Sequence, residues 1–260
     1  MKKLLLSLLT GMLCLAVSAC GTAETATDAP TIALPKPEVG TTLKWGTWKG
    51  APLEWQILNV EEQRFLVIAK QPVAIRQYFE TDSSVTWESS AVRTWLSEQF
   101  FTQAFSESEQ AVILTTTIGN PDNPTFGSLG GADTADNLFL LSSDEVSRYF
   151  SDDAARTIEY VTDETDVLYK LAIAKDSWGY SDQELAELES FLRSVILDKA
   201  DQTSWWLRSP ERDANFAAAV LRDGSLGGWG VNLDAAVRPA MWIKIPVSDE
   251  PASTETSDKG

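Results

Sequence analysis

The chain contains no histidine, and its two cysteines, Cys14 and Cys20, both fall within the first twenty residues. Without imidazole, Ser-His-Asp and Cys-His catalysis are excluded, as is every zinc site that needs a histidine ligand. Beyond Cys20 there is no disulfide, no thiol nucleophile and no thiolate metal site. Basic residues are scarce as well: 21 Lys and Arg stand against 38 Asp and Glu, a formal charge of −17. So acidic a chain argues against nucleic acid and against electrostatic docking on anionic lipid.

What is present is material for a core. The 260 residues are 43% apolar and include ten Trp and ten Phe, enough for one large domain or two small ones and too many for a disordered chain. Met1 to Ala19 has the build of an export signal: Lys2 and Lys3, an apolar run from Leu4 to Val17, then the small residues Ser18 and Ala19. That run is short of the ~20 residues a membrane span needs. Val17-Ser18-Ala19-Cys20 resembles a bacterial lipobox, which implies a signal peptide at 1–19 and a lipidated Cys20. The expected product is exported and anchored to the cell membrane through that lipid alone, facing the extracytoplasmic side. Residues 20–39, rich in Ala, Thr and Pro, read as a tether, and 247–260 as a disordered tail. The globular body is then 40–246.

Gly40 to Ala69 reads as strands, with Leu53, Trp55 and Ile57 alternating against Glu54 and Gln56. Helical spacing of Val92, Trp95, Leu96 and Phe100 predicts a helix from about Ser90 to Phe101. Ser142-x-x-Glu145 and Ser181-x-x-Glu184 are capping boxes, the second opening a helix over 182–199. Between the first two helices, 119–137 is a long loop of Gly, Asn, Asp and Pro. Strands return at 204–209, 216–221, 231–233 and 237–245, with Asp223-Gly224 as a hairpin turn and Pro239 marking an edge or a bulge. Strands, then helices, then strands make an α+β fold.

W-W-L-R-S-P at 205–210, the Asp223-Gly224 hairpin and V-R-P-A at 237–240 resemble a family of uncharacterised bacterial surface and secreted domains. P-L-E-W-Q-I-L at 52–58, T-W-E-S-S-A-V-R-T-W-L at 86–96 and F-L-L-S-S-D-E-V at 139–146 fit the same family. The layout is similar to the C-type-lectin-like fold in its formylglycine-generating-enzyme-like branch. That resemblance implies a single domain with a mostly antiparallel sheet, two or three helices and long loops, and a helical insertion at about 163–200. The chain departs from that branch in having no cysteine beyond Cys20, so the enzyme's thiol and copper chemistry cannot be carried over. It also lacks the Glu-Pro-Asn and Trp-Asn-Asp triplets of sugar-binding lectins.

For function, the residue types point to a non-catalytic binding or display module whose terminal loops meet an extracellular glycan, peptide or protein. The alternatives are an acid-dependent hydrolase of cell-surface glycans and a structural subunit of an envelope assembly. Trp229, set among Gly227, Gly228 and Gly230, reads as an exposed contact residue on a turn, and Arg212, which follows the Pro210 turn, as exposed. Trp206, Arg208 and Arg238 are further ligand candidates, with the two arginines alternatively pairing acids such as Asp136 or Asp223. Trp205 and Trp242 read as core. No cofactor is implied, except that Asp122, Asp133, Asp136 and Asn137 offer oxygens suited to calcium.

Overall fold

The structure, a computed structural model, describes residues 34–161, 164–176, 178–195 and 200–245. The signal at 1–19, Cys20, most of the tether and the tail lie outside the described residues. No helix among the described residues is long and apolar enough to cross a membrane.

Four strands open the body: β1 (Thr42–Trp48), β2 (Ala51–Val60), β3 (Arg64–Ala69) and β4 (Ala74–Gln77). Helix α1 (Ala91–Trp95) continues through a π-turn at Leu96–Phe100 into α2 (Phe101–Ala104), and α3 (Glu107–Gln110) follows. The middle of the chain holds β5 (Ile113–Leu114), β6 (Thr116–Ile118), β7 (Thr134–Asp136), α4 (Ser143–Tyr149), α5 (Asp153–Arg156) and β8 (Glu159–Val161). Helices α6 (Glu164–Asp176) and α7 (Asp182–Val195) occupy the segment expected as a helical insertion. The chain closes with β9 (Ala200–Gln202), β10 (Trp205–Pro210), β11 (Phe216–Val220), β12 (Leu226–Gly230), β13 (Asp234–Val237) and β14 (Ala240–Lys244).

The fold is α+β and mostly antiparallel, but the strands form two five-stranded sheets where one was expected. Their orders are β1-β2-β3-β14-β5 and β12-β11-β10-β13-β4, with two small ribbons, β6-β7 and β8-β9. The two large sheets share a ribbon. β3 pairs with β14, and β4 pairs with β13, so the same two chain segments cross from one sheet to the other at 69–74 and 237–240. The single strand expected over 237–245 is therefore broken at Arg238-Pro239, where the chain changes sheet. Residues 231–233, expected as a strand, form a turn instead, closed by the Leu233 amide on the Gly230 carbonyl (2.9 Å).

Local signals act where they were read. Ser90 accepts the Arg93 amide at 3.2 Å and starts α1. Both capping boxes form, at Ser142/Glu145 and Ser181/Glu184. Asp223-Gly224 makes the β11–β12 turn, with Gly224 at φ 86 and no room for a Cβ against the Asp153 carbonyl. More helices form than expected, because short turns such as α3 and α5 fill what reads as loop.

Trp55, Trp87, Trp205 and Trp206 are fully buried, and each indole N–H has an acceptor: Trp45 O, Asp136 Oδ2, Arg156 O and Arg76 O. At about 25 cal/mol per Å², burying ~150–250 Å² apiece stabilises by roughly 4–6 kcal/mol per ring, an upper bound. The core reading of Trp205 and Trp242 holds, both rings being buried.

Candidate functional site

The arginines of the two carboxyl-terminal motifs serve the scaffold. Arg208 forms a bidentate pair with Glu145 (Nη2–Oε1 3.0 Å) and donates to the Leu140 carbonyl at 2.7 Å. Glu145 is also the capping-box acid of α4, accepting the Ser142 amide at 2.8 Å, so one carboxylate caps a helix and ties it to β10. The expected partners Asp136 and Asp223 are not involved. Asp136 instead accepts from Trp87, Arg93 and Thr134, and Asp223 from Ser225 within its own turn.

Arg238 has a different task. The Ala69 amide donates to the Pro239 carbonyl at 2.9 Å, but proline has no N–H to return the bond. Arg238 Nε supplies the missing donor, reaching Ala69 O at 2.7 Å where the shared ribbon bends. Burial pulls its guanidinium down to about 10, still protonated at neutral pH, and the faces of Trp205 and Phe150 lie 5.0 and 5.3 Å from it. Trp206 is fully buried against Tyr78.

Trp229 lies within β12 and not on a turn. It is half-buried, packs on the core, and donates to Asp234 O at 3.3 Å. Arg212 is exposed as expected, with its guanidinium 5.6 Å from the Phe126 ring. The 119–133 loop is bound to the 210–211 turn by Asn123 on Pro210 O and Ser128 on Glu211 O. Beside Arg208 and Gly130 the terminal loops meet around a shallow dimple too small to hold a water molecule. Asp122 and Asp133 each accept a loop amide, and Asn137 donates to Thr115. Among the described residues no three of His, Cys, Asp and Glu gather as a metal shell.

A larger groove lies along the β1–β2 hairpin. This groove of about 600 Å³ is lined by Trp48, Lys49, Lys44, Glu54, Gln71 and Tyr160, with Pro52 and Pro72 among its apolar wall. The hairpin turns through Lys49 (φ 51) and Gly50 (φ 78), the two left-handed positions that a type I′ turn requires. Among the described residues Lys49 is the one non-glycine with positive φ. Gly would sit there at less cost, since a Cβ in that region is worth roughly 1–2 kcal/mol of strain, and Asn or Asp would offset that strain by local side-chain hydrogen bonds. Strain of this kind concentrates at functional positions.

Polar groups converge behind the groove. Asp166, 2% exposed, accepts the Tyr160 hydroxyl at 2.6 Å and the Ile75 amide at 3.4 Å, and Lys49 Nζ lies 3.9 Å from it. Arg76 is sandwiched between Trp95 (4.2 Å) and Tyr169 (4.8 Å), and burial lowers its proton affinity. Trp48 is fixed by its N–H on Val73 O (2.8 Å) and by edge contacts with Trp95 and Phe100, and its ring remains half-open to the groove. Glu54, exposed at the rim, is held below its ordinary value by Lys70 and then Lys44. The arrangement offers two aromatic rings flanked by ammonium, carboxylate and amide groups.

The sequence reading missed Trp48, Lys49, Tyr160 and Asp166. One local signal was there to find: a lysine in W-K-G-A, at a hairpin position that favours Asn, Asp or Gly.

Residues 62–245 match the profile of DUF6273, a domain of unknown function, and the chain belongs to that family. No curated protein and no solved structure matches it.

Proposed function

We propose that this protein is a non-catalytic ligand-binding module, exported and held to the membrane by a lipid on Cys20, with a C-type-lectin-like arrangement. Its ligand is an extracellular glycan lying along the β1–β2 groove, with sugar faces on Trp48 and Tyr160 and hydroxyls toward Lys44, Lys49, Glu54 and Gln71. The observation that carries this reading is Lys49, kept in a strained left-handed turn position on the groove lining, with its ammonium 3.9 Å from the buried Asp166 behind it. Concave sites with aromatic walls and a few fixed polar groups are where small ligands bind. The non-catalytic part rests on two facts. No histidine is available, and among the described lining residues Glu54 is the one acid, whereas glycoside hydrolysis places two carboxyl groups across the bond.

The test is a glycan and peptide array probed with wild type, Trp48→Ala, Lys49→Gly and Arg212→Ala, each checked for folding by circular dichroism. Binding lost in the first two variants and kept in Arg212→Ala supports the groove. Binding indifferent to both groove changes, or lost in Arg212→Ala alone, returns the site to the terminal loops.

A further inference from the structure

The charge around the β1–β2 groove runs against the charge of the chain. Its lining carries Lys44, Lys49 and one acid, Glu54. Glu54 is shared by two ammonium groups, Lys70 at 3.1 Å and Lys44 at 3.8 Å, and they hold its carboxyl below its ordinary value. Behind the wall, Asp166 also answers two cations. Lys49 Nζ lies 3.9 Å from it. Burial lowers the proton affinity of Arg76, and Asp166 is among the groups that oppose that loss. Asp166 is 2% exposed, and its oxygens accept the Tyr160 hydroxyl and the Ile75 amide, so its charge stays behind the wall. Asp234, beyond Tyr169, is paired with Lys170. The lining and its ion partners among the described residues thus set Lys44, Lys49, Lys70 and Arg76 against Glu54 and Asp166, in a chain of formal charge −17. A cleft whose charge has one sign concentrates ions of the other, most strongly at low salt.

We infer that the groove takes an acidic glycan, one whose sugar rings carry negative charge as uronic acids do, which rests on the glycan assignment proposed above. The sugar faces lie on Trp48 and Tyr160, and the acidic groups lie toward Lys44 and Lys49. Lysine suits a flexible, partly solvated acid, since its ammonium is a compact point charge on a mobile stem. Glu54 moderates the attraction: its carboxylate sits at the rim between Lys44 and Lys70 and offsets part of their charge.

Calorimetric titration of the intact chain with oligogalacturonate and with its fully methyl-esterified form tests this, because the ester keeps the rings and removes the charge. At about 50 mM salt the acid should bind about tenfold or more tightly than the ester, and the ratio should fall toward one at about 0.5 M salt. Glu54→Gln, which leaves Lys44 and Lys70 unopposed, should tighten the acid about two- to fivefold. Lys70→Gln, a side chain outside the lining, should weaken it by a similar factor. Both side chains are about two-fifths exposed, at 41% and 42%, so neither change empties packed space. Polyglutamate, a polyanion without sugar rings, should bind more weakly than the sugar acid. Equal affinity for acid and ester, a Glu54→Gln protein that binds the acid more weakly, or polyglutamate bound as tightly as oligogalacturonate would each overturn the acidic class. A neutral glycan captured on the array with neither galacturonate form bound would overturn it too, and leave the groove a neutral-sugar site. No sugar of either kind bound by the folded protein would overturn the glycan assignment as well.

Discussion

The carboxyl-terminal ribbon and the β1–β2 hairpin groove are built from the same residue types, tryptophan with a basic partner, and put them to opposite uses. In the ribbon, Arg208 donates to Glu145 and to the Leu140 carbonyl, Arg238 donates through Nε to the Ala69 carbonyl while its Nη1 is buried without a partner, and Trp205 and Trp206 are sealed. At the hairpin, Trp48 keeps an open face, and Lys49 holds a left-handed conformation that its turn requires and its side chain disfavours. Residue type therefore does not separate scaffold from site. What separates them is whether the side chains are sealed inside the fold or left open beside a groove, and whether a side chain holds a strained backbone position.

The sharpest way to break this comparison is at Arg208. Arg208→Ala strands a half-buried Glu145 and an acceptor at Leu140, and should destabilise by about 3–5 kcal/mol in urea unfolding, a large share of a domain's stability. A cost under 1 kcal/mol would mean that the arginine was free for a ligand. Next is the bend. Arg238→Leu should cost about 1–3 kcal/mol by leaving Ala69 O unpaired. In a Pro239→Ala background a backbone N–H is restored opposite Ala69, and the same change should cost about 1 kcal/mol less, a coupling read by a double-mutant cycle.

The hairpin is probed by another cycle. In an Asp166→Asn background, where the ion pair is gone, Lys49→Gly should stabilise by about 1 kcal/mol by relieving the left-handed turn. In the wild type it should gain less, the difference being the worth of the Lys49–Asp166 pair.

The smallest effect is a pH dependence at Glu109. Burial would raise its carboxyl, but bonds from the Ser106 amide and hydroxyl and the Gly46 amide outweigh it and hold the group below its ordinary 4.5. A lowered carboxylate contributes stability that is present above 4.5 and lost as pH falls through the folded value. The acid limb of a pH–stability curve should accordingly flatten in Glu109→Gln.

Much of the scaffold was legible because its signals are local. Ser142 and Glu145, or Asp223 and Gly224, act within a few residues of each other, so spacing alone reveals them. The partner of Arg208 was not legible. Glu145 lies 63 residues away, and nothing in local sequence ranks it above Asp136 or Asp223. Pro239 was read as an edge or a bulge within one strand, whereas it marks a change of sheet between two interior strands, and that depends on β3 and β4 bending alongside it. Trp229 misled because three neighbouring glycines suggest a turn, whereas here they line an edge strand, Gly228 against Glu211 and Gly227 against Leu221. The groove escaped notice because it joins a hairpin at 44–54 to Tyr160, and only the fold brings them together.

The most direct test of the account is the affinity of the array-identified ligand for Lys49→Gly set against Arg212→Ala. Loss of about tenfold or more in the first, roughly 1.4 kcal/mol, with the second within about twofold of wild type, is the predicted result. The reverse pattern, with Lys49→Gly binding as wild type and Arg212→Ala impaired, would contradict it.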